Sequence, residues 1–94
     1  TTLQSYAIDQ QAQLMDHFQD FQLLDQASIN IHGHEAIQIL YEWTTEQSLR
    51  IRQKQVYILV GNTAYTLTAT ELASTFDNRE SIFDSIFKSF RPSI

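Results

Sequence analysis

The sequence predicts an α+β domain, a four-stranded antiparallel β-meander flanked by an N-terminal and a C-terminal helix. Two observations carry this expectation. Apolar residues recur at spacings of three and four near the two ends, within residues 2–18 and 78–90. Between them the pattern alternates with a period of two and is punctuated by Gly33 and by Gly61-Asn62, the turn chemistry of hairpins. With 94 residues, 43% of them hydrophobic, two glycines and one proline, the chain is sized for one domain, residues 1–94, with one modest core. It carries no repeat, low-complexity tract or linker.

The first helix, residues 2–18, aligns Leu3, Tyr6, Ala7, Gln10, Leu14 and Phe18. Gln10 and Gln11 make its stripe only moderately apolar. From Phe21 the period changes: Phe21, Leu23, Asp25, Ala27, Ile29 and Ile31 alternate with mostly polar residues as a strand. After the turn at Gly33, a strand from Glu35 to Thr44 sends Ile37, Ile39, Tyr41 and Trp43 to one face. Thr44 to Gln47 is a polar connection, and Thr63 to Thr70 is the last strand, with Tyr65, Leu67 and Ala69 on one face. A final helix over Asn78 to Phe90 is expected to start on Asp77 as N-cap, with Glu80 completing a capping box. Its stripe of Ile82, Phe83, Ile86, Phe87 and Phe90 is expected to pack on the sheet, and Pro92 to end it.

The strand between the connection and Gly61 is the most informative. Read from Ser48 to Val60, it sends Leu49, Ile51, Gln53, Gln55, Tyr57 and Leu59 to one face. Arg50, Arg52, Lys54, Val56, Ile58 and Val60 go to the other. Its second half is apolar on both faces, which places it centrally in the sheet. The cationic row reads as a solvated strand face with cross-strand partners such as Glu42. The face with Leu49, Ile51, Gln53 and Gln55 matches the mixed apolar and glutamine chemistry of the helix row Tyr6, Gln10, Leu14 and Phe18. Together the two could line one shallow concave surface.

Composition narrows the function classes. A formal charge of −5 disfavours a general nucleic-acid or anionic-membrane binder. The absence of cysteine removes disulfides, CxxC redox sites and thiolate metal sites. No apolar run approaches the roughly 18 residues of a membrane span, and the N-terminal residues lack a signal-peptide pattern. A cytoplasmic location without membrane insertion is the simplest expectation. His32, His34 and Glu35, with His17, are the available metal-type ligands, but their spacing across a turn does not make three converging ligands. No nucleophile elbow, P-loop or HExxH occurs, so no catalytic residue, metal or cofactor is expected.

A family resemblance adds a function. Phe18-Gln19-Asp20-Phe21-Gln22-Leu23-Leu24, followed by Ile31-His32-Gly33-His34-Glu35-Ala36, resembles a "GF-x-LL … l-x-G-x-x-A" pattern. Tyr41-Glu42-Trp43 and Arg52-Gln53-Lys54-Gln55-Val56-Tyr57 resemble "Y-x-W … R-Q-x-Q-v-f". Residues 64–70 and Phe87-Lys88-Ser89-Phe90-Arg91 complete the order. Together these look like the DcrB-like family of the Mog1/PsbP-like fold, and are most similar to Eag-type adaptor chaperones of bacterial type VI secretion.

The resemblance implies a non-enzymatic protein that shields the transmembrane helices of PAAR- or Rhs-type effectors before export. It implies partner-binding residues on the first helix, Gln10, Leu14 and Phe18, and on the central strand, Leu49, Ile51 and Gln53. Family members usually place a β-region before the first helix, and this chain matches about the C-terminal two-thirds of the pattern. A sheet without that region exposes an edge that a homodimer or strand exchange would cover. The alternative within the same resemblance is a periplasmic DcrB-like or lumenal PsbP-like accessory domain.

Overall fold

Strand pairing here is between sequence neighbours throughout. The computed structural model describes residues 2–91, and its order is α1 (Leu3–His17), β1 (Gln22–Ile31), β2 (His34–Thr44), β3 (Arg50–Val60), β4 (Thr63–Leu72) and α2 (Glu80–Ser89). The strands form one antiparallel sheet in the order β1-β2-β3-β4. The expected α+β meander with a helix at each end is therefore what the chain adopts, and β3 lies inside the sheet.

Local chemistry accounts for the boundaries. α1 starts on a capping box that the sequence reading missed: the Thr2 hydroxyl accepts from the Ser5 amide at 3.1 Å and the Ser5 hydroxyl accepts from the Thr2 amide at 3.0 Å. His32 and Gly33 both take positive φ, 50° and 85°, as a two-residue hairpin of type I′ demands. The Asn30 side chain accepts the Gly33 amide at 2.9 Å. β3 begins two residues later than expected, because Ser48 turns at φ 64° and Leu49 hydrogen-bonds back to Thr45.

β1 departs from strict alternation. Leu23 pairs with Tyr41 while Asp25 pairs with Leu40, so Leu24 is an extra residue. Such a bulge swaps the faces on its two sides. Leu23 therefore shares the Tyr41 face, whereas Asp25, Ala27, Ile29 and Ile31 share the opposite one; a single Phe21-to-Ile31 face does not exist.

Each helix covers one face. Under α1, Leu3 and Ala7 are buried with Ile37, Ile39, Tyr41 and Tyr57, joined by Tyr6, Leu14, Phe18, Phe21 and Trp43. Under α2, Phe87 is buried with Ile31, Ala36, Val56, Ile58 and Ala69, joined by Phe83, Phe90, Tyr65 and Leu67. Burying such side chains stabilises by roughly 1.5–3 kcal/mol each.

The approach of α2 corrects three expectations. Asp77 is not a helix cap: residues Phe76–Asn78 form a 3-10 turn, the N-cap position is Arg79, and it makes no side-chain capping bond. Asp77 instead meets the Arg52 guanidinium at 3.1 Å, and Glu80 and Asp84 each meet the Lys54 ammonium at 2.8 Å. Lys54 is only 3% exposed, so its charge must be met by carboxylates, and they are committed to it rather than to a cap or to solvent. Finally, Ile82 and Ile86 are 53% and 58% exposed; only the Phe83, Phe87 and Phe90 side of the stripe packs. α2 ends at Ser89 with Phe90 as C-cap, and Pro92 lies outside the described residues.

Burial works against the Lys54 ammonium, but hydrogen bonds and charge from Asp84 and Glu80 outweigh it and hold its pKa above the usual lysine value. Burial, with smaller help from Tyr57 and Tyr6 respectively, pushes the Tyr41 and Tyr57 phenols well above the ordinary tyrosine range. All three hold their protons longer in the folded chain than in the unfolded one. Stability should thus be insensitive to alkali until the unfolded phenols and ammonium titrate, near pH 10, and fall as pH rises further. Urea unfolding followed into alkali checks this, and Tyr57→Phe should flatten the fall.

Removing both carboxylates, with Glu80→Gln and Asp84→Asn, strands a buried cation and should cost about 3 kcal/mol, whereas Lys54→Met should cost much less. Urea midpoints of the two variants decide whether the pair or the packing holds α2.

Candidate functional site

α1 lies across the middle of the sheet and leaves part of its face open. At one flank Gln11 donates to Gln26 of β1 at 3.1 Å; at the other the Tyr6 hydroxyl meets Thr66 of β4 at 2.8 Å. Gln10, four residues after Tyr6 and thus on the same flank, is half-buried. Beyond that flank the strip of β3 and β4 is uncovered. Its floor is Ile51, Gln53 and Gln55, half-buried, and its rim is Thr66, Thr68, Thr70 and Leu72, exposed.

The strip is a ladder of polar rungs anchored on aromatic rings. Trp43 Nε1 donates to Gln53 Oε1 at 3.2 Å, and Gln53 Nε2 donates to Thr70 Oγ1 at 2.9 Å. In the next rung the Tyr57 hydroxyl donates to Gln55 Oε1, and Gln55 Nε2 donates to Thr68 Oγ1 at 3.2 Å. Each amide is thereby held rigid in both directions. The amides keep a second N–H each, and the threonines that accept from them keep an O–H to give. The rim threonines were not among the expected site residues, although the alternation of Tyr65, Leu67 and Ala69 implied a complementary Thr66, Thr68 and Thr70 face.

The expected partner-binding residues separate into three groups. Phe18 stacks on Trp43 at 4.2 Å with ring planes 8° apart and also lies 6.3 Å from Tyr41, while Leu14 packs against the buried cluster; both serve the core. Ile51 and Gln53 lie on the open strip, side by side with Trp43 through the β2–β3 register and the indole bond. Leu49, 51% exposed, precedes β3 on the turn, and Gln10 stands on the helix flank. The structure thus brings Ile51 and Gln53 together and sets Leu49 and Gln10 at separate places around them.

The opposite face is electrostatically closed. Glu42 takes Arg50 Nε at 3.0 Å on one oxygen and the Arg52 guanidinium at 2.7 Å on the other. Burial would raise the Glu42 pKa, but the hydrogen bonds and charges of Arg50 and Arg52 outweigh it and hold the carboxyl below its usual range. Arg50 also donates to the Asp20 carbonyl at 2.8 Å. The cationic row therefore reads as the cross-strand network expected of it, except that Lys54 is buried rather than solvated. Among the described residues, no group of three or more His, Asp or Glu is arranged to hold a metal ion, and no helix is long and apolar enough to cross a membrane.

Replacing Gln53 with Ala unties both Trp43 and Thr70 and should lower stability by about 1 kcal/mol. Because Trp43 is the single tryptophan, its native-state emission should shift as the indole loses that acceptor, and a fluorescence spectrum of the variant checks it.

Residues 1–89 match the DcrB family. No curated protein matches the chain. Among solved structures, a protein of unknown function from Pseudomonas aeruginosa superposes with a TM-score of 0.89 at 22% identity. The match covers 100% of this chain and 65% of that one, so the chain spans a little under two-thirds of that neighbour's length, and at this identity the likeness concerns the fold.

Proposed function

The chain belongs to the DcrB family, and from that premise we propose that it is a non-enzymatic, cytoplasmic adaptor chaperone that covers apolar helices of a secreted effector. In the terms of the family resemblance, the clients are the transmembrane helices of PAAR- or Rhs-type effectors awaiting type VI export. The observation that carries this reading is the open strip beside α1: apolar Ile51, with Leu49 at its mouth and Leu72 opposite Ile51, running into a rigid ladder of glutamine and threonine.

The chemistry suits such a client. A membrane helix presents aliphatic side chains with occasional Ser, Thr or Asn groups that lipid leaves unsatisfied. The apolar end of the strip takes the aliphatic surface out of water, and the spare N–H and O–H donors meet polar atoms that would otherwise be desolvated at a cost. Gln10 on the helix flank extends the same donor set. The ladder's internal bonds preorganise these donors, so less side-chain entropy is lost on binding.

A pull-down against the N-terminal region of an effector encoded beside the gene, with and without its transmembrane helices, tests the reading. Capture should require the helices. Leu49→Asp combined with Gln53→Ala should weaken capture by about tenfold, equivalent to 1.4 kcal/mol. Failure of the folded wild-type chain to retain the helices would favour an accessory domain with another ligand.

A further inference from the structure

The two edges of the sheet are built differently. β1 carries the bulge at Leu24 and the charge of Asp25, devices that discourage pairing. β4 carries neither. Its register with β3 is unbroken from Thr63 to Leu72, and Thr63-Ala64-Tyr65-Thr66-Leu67-Thr68-Ala69-Thr70 contains no charge, glycine or proline. Alternate backbone N–H and C=O groups of such an edge point outward as a template for another strand.

A trough runs beside this edge. One cavity of about 400 Å³ lies between Thr66, Leu67 and Thr68 on one side and Ile86, Phe87 and Phe90 on the other. A second of about 260 Å³ lies between Thr68, Ala69 and Thr70 and the side chains of Phe83, Ile86 and Phe87. Each is walled by three consecutive residues of β4. Consecutive residues point to opposite faces, so both cavities open at the outer edge of β4, which among the described residues pairs with no strand but β3, rather than on one face. Their centres at Leu67 and Ala69 are two residues apart, the repeat of side chains along one face of a strand. No charged residue lines either cavity, in a chain of net charge −5, and Ile86 overhangs both while 58% exposed.

We propose that the β4 edge captures an extended segment of a partner polypeptide, uncharged and apolar at two positions spaced i and i+2, by strand addition. The backbone of the segment would continue the β4 ladder, and its two apolar side chains would enter the cavities beneath Ile86; hydroxyl residues between them would lie beside the Thr66, Thr68 and Thr70 row. Charge matching selects this occupant, since a charged side chain in the trough would be desolvated with no counter-ion lining it. A second copy of this chain fits less well. Two-fold antiparallel pairing about Leu67 brings Tyr65 of one copy to Ala69 of the other, and Tyr65 is engaged edge-to-face by Phe90 at 5.4 Å. This site borders the chaperone strip along the Thr66, Thr68 and Thr70 row but takes its apolar cavities from the α2 side, so the two readings are told apart by different residues, Ile86 here and Leu49 with Gln53 there.

The test is fluorescence polarisation of a dye-labelled octapeptide of alternating valine and threonine added to the full chain. The control is the same peptide N-methylated at alternate amides, which keeps the side chains and removes strand donors. The unmodified peptide should bind saturably and the methylated one at least about tenfold more weakly. Ile86→Asp, at an exposed position, should weaken binding by a similar factor with an unchanged urea midpoint. No binding, or equal binding of the two peptides, overturns the proposal. Protection of the β4 edge amides from hydrogen exchange in a peptide-free dimer overturns it too, because a second copy would then hold the edge.

Discussion

The buried ammonium of Lys54 sets the terms for one whole side of the molecule. A cation that is 3% exposed costs several kcal/mol unless carboxylates meet it. Both carboxylates come from α2, at positions four apart on one helical side. Meeting them fixes the rotation of α2 about its own axis. Phe83 and Phe87 then turn inward, onto the cluster that includes Val56, Ile58 and Ala69, and Ile82 and Ile86 are left outside. The Arg52 pair with Asp77, and the Arg52 guanidinium lying 5.7 Å from the Phe76 ring centre, fix the approach to the helix in the same way. The exposure of Ile86 is thus a by-product of an electrostatic requirement three strand residues wide.

β3 distributes chemistry to both sides because its period-2 pattern holds without a bulge. One face delivers Arg50, Arg52 and Lys54 to carboxylates, then Val56 and Ile58 to the core. The other delivers Gln53 and Gln55 to aromatic donors beneath and threonines beside them. The two faces have opposite economies. On the α2 face the cations Arg50, Arg52 and Lys54 are each met by carboxylates; on the α1 face each rung leaves donor capacity unspent. That difference, rather than apolar area, is why the functional reading rests on the α1 face.

Periodicity made most of this legible in advance. The alternation of Ile37, Ile39, Tyr41 and Trp43, the two-faced character of β3 and the hairpin residues Gly33 and Gly61 all act locally, and each maps onto an observed element. Apart from the local Thr2–Ser5 capping box, what escaped the reading was set by contacts between distant residues. Nothing local to Leu24 announces a bulge, which arises from pairing Leu23 with Tyr41 and Asp25 with Leu40. Asp77 and Glu80 have capping-box spacing, but the burial of a lysine more than 20 residues upstream outbids the cap. Phe18, which the family resemblance implies on the partner-binding side, stacks on Trp43, a contact across 25 residues that no local pattern announces. The pairing of glutamines with rim threonines needed the β3–β4 register, in which Gln53 faces Thr70 and Gln55 faces Thr68.

The unbroken succession of hairpins has a kinetic consequence. Each strand pairs with its neighbour in sequence, and two of the three connections, His32-Gly33 and Gly61-Asn62, are two residues long. Closing such loops costs little chain entropy, so the sheet can zip one hairpin at a time at low contact order for a β structure. The helices enter differently, since the Tyr6–Thr66 bond spans 60 residues and the Lys54–Asp84 bond spans 30. A laddered sheet that forms without either helix can shed one of them while the other stays seated, and its two sides become separately openable leaves of a single structure.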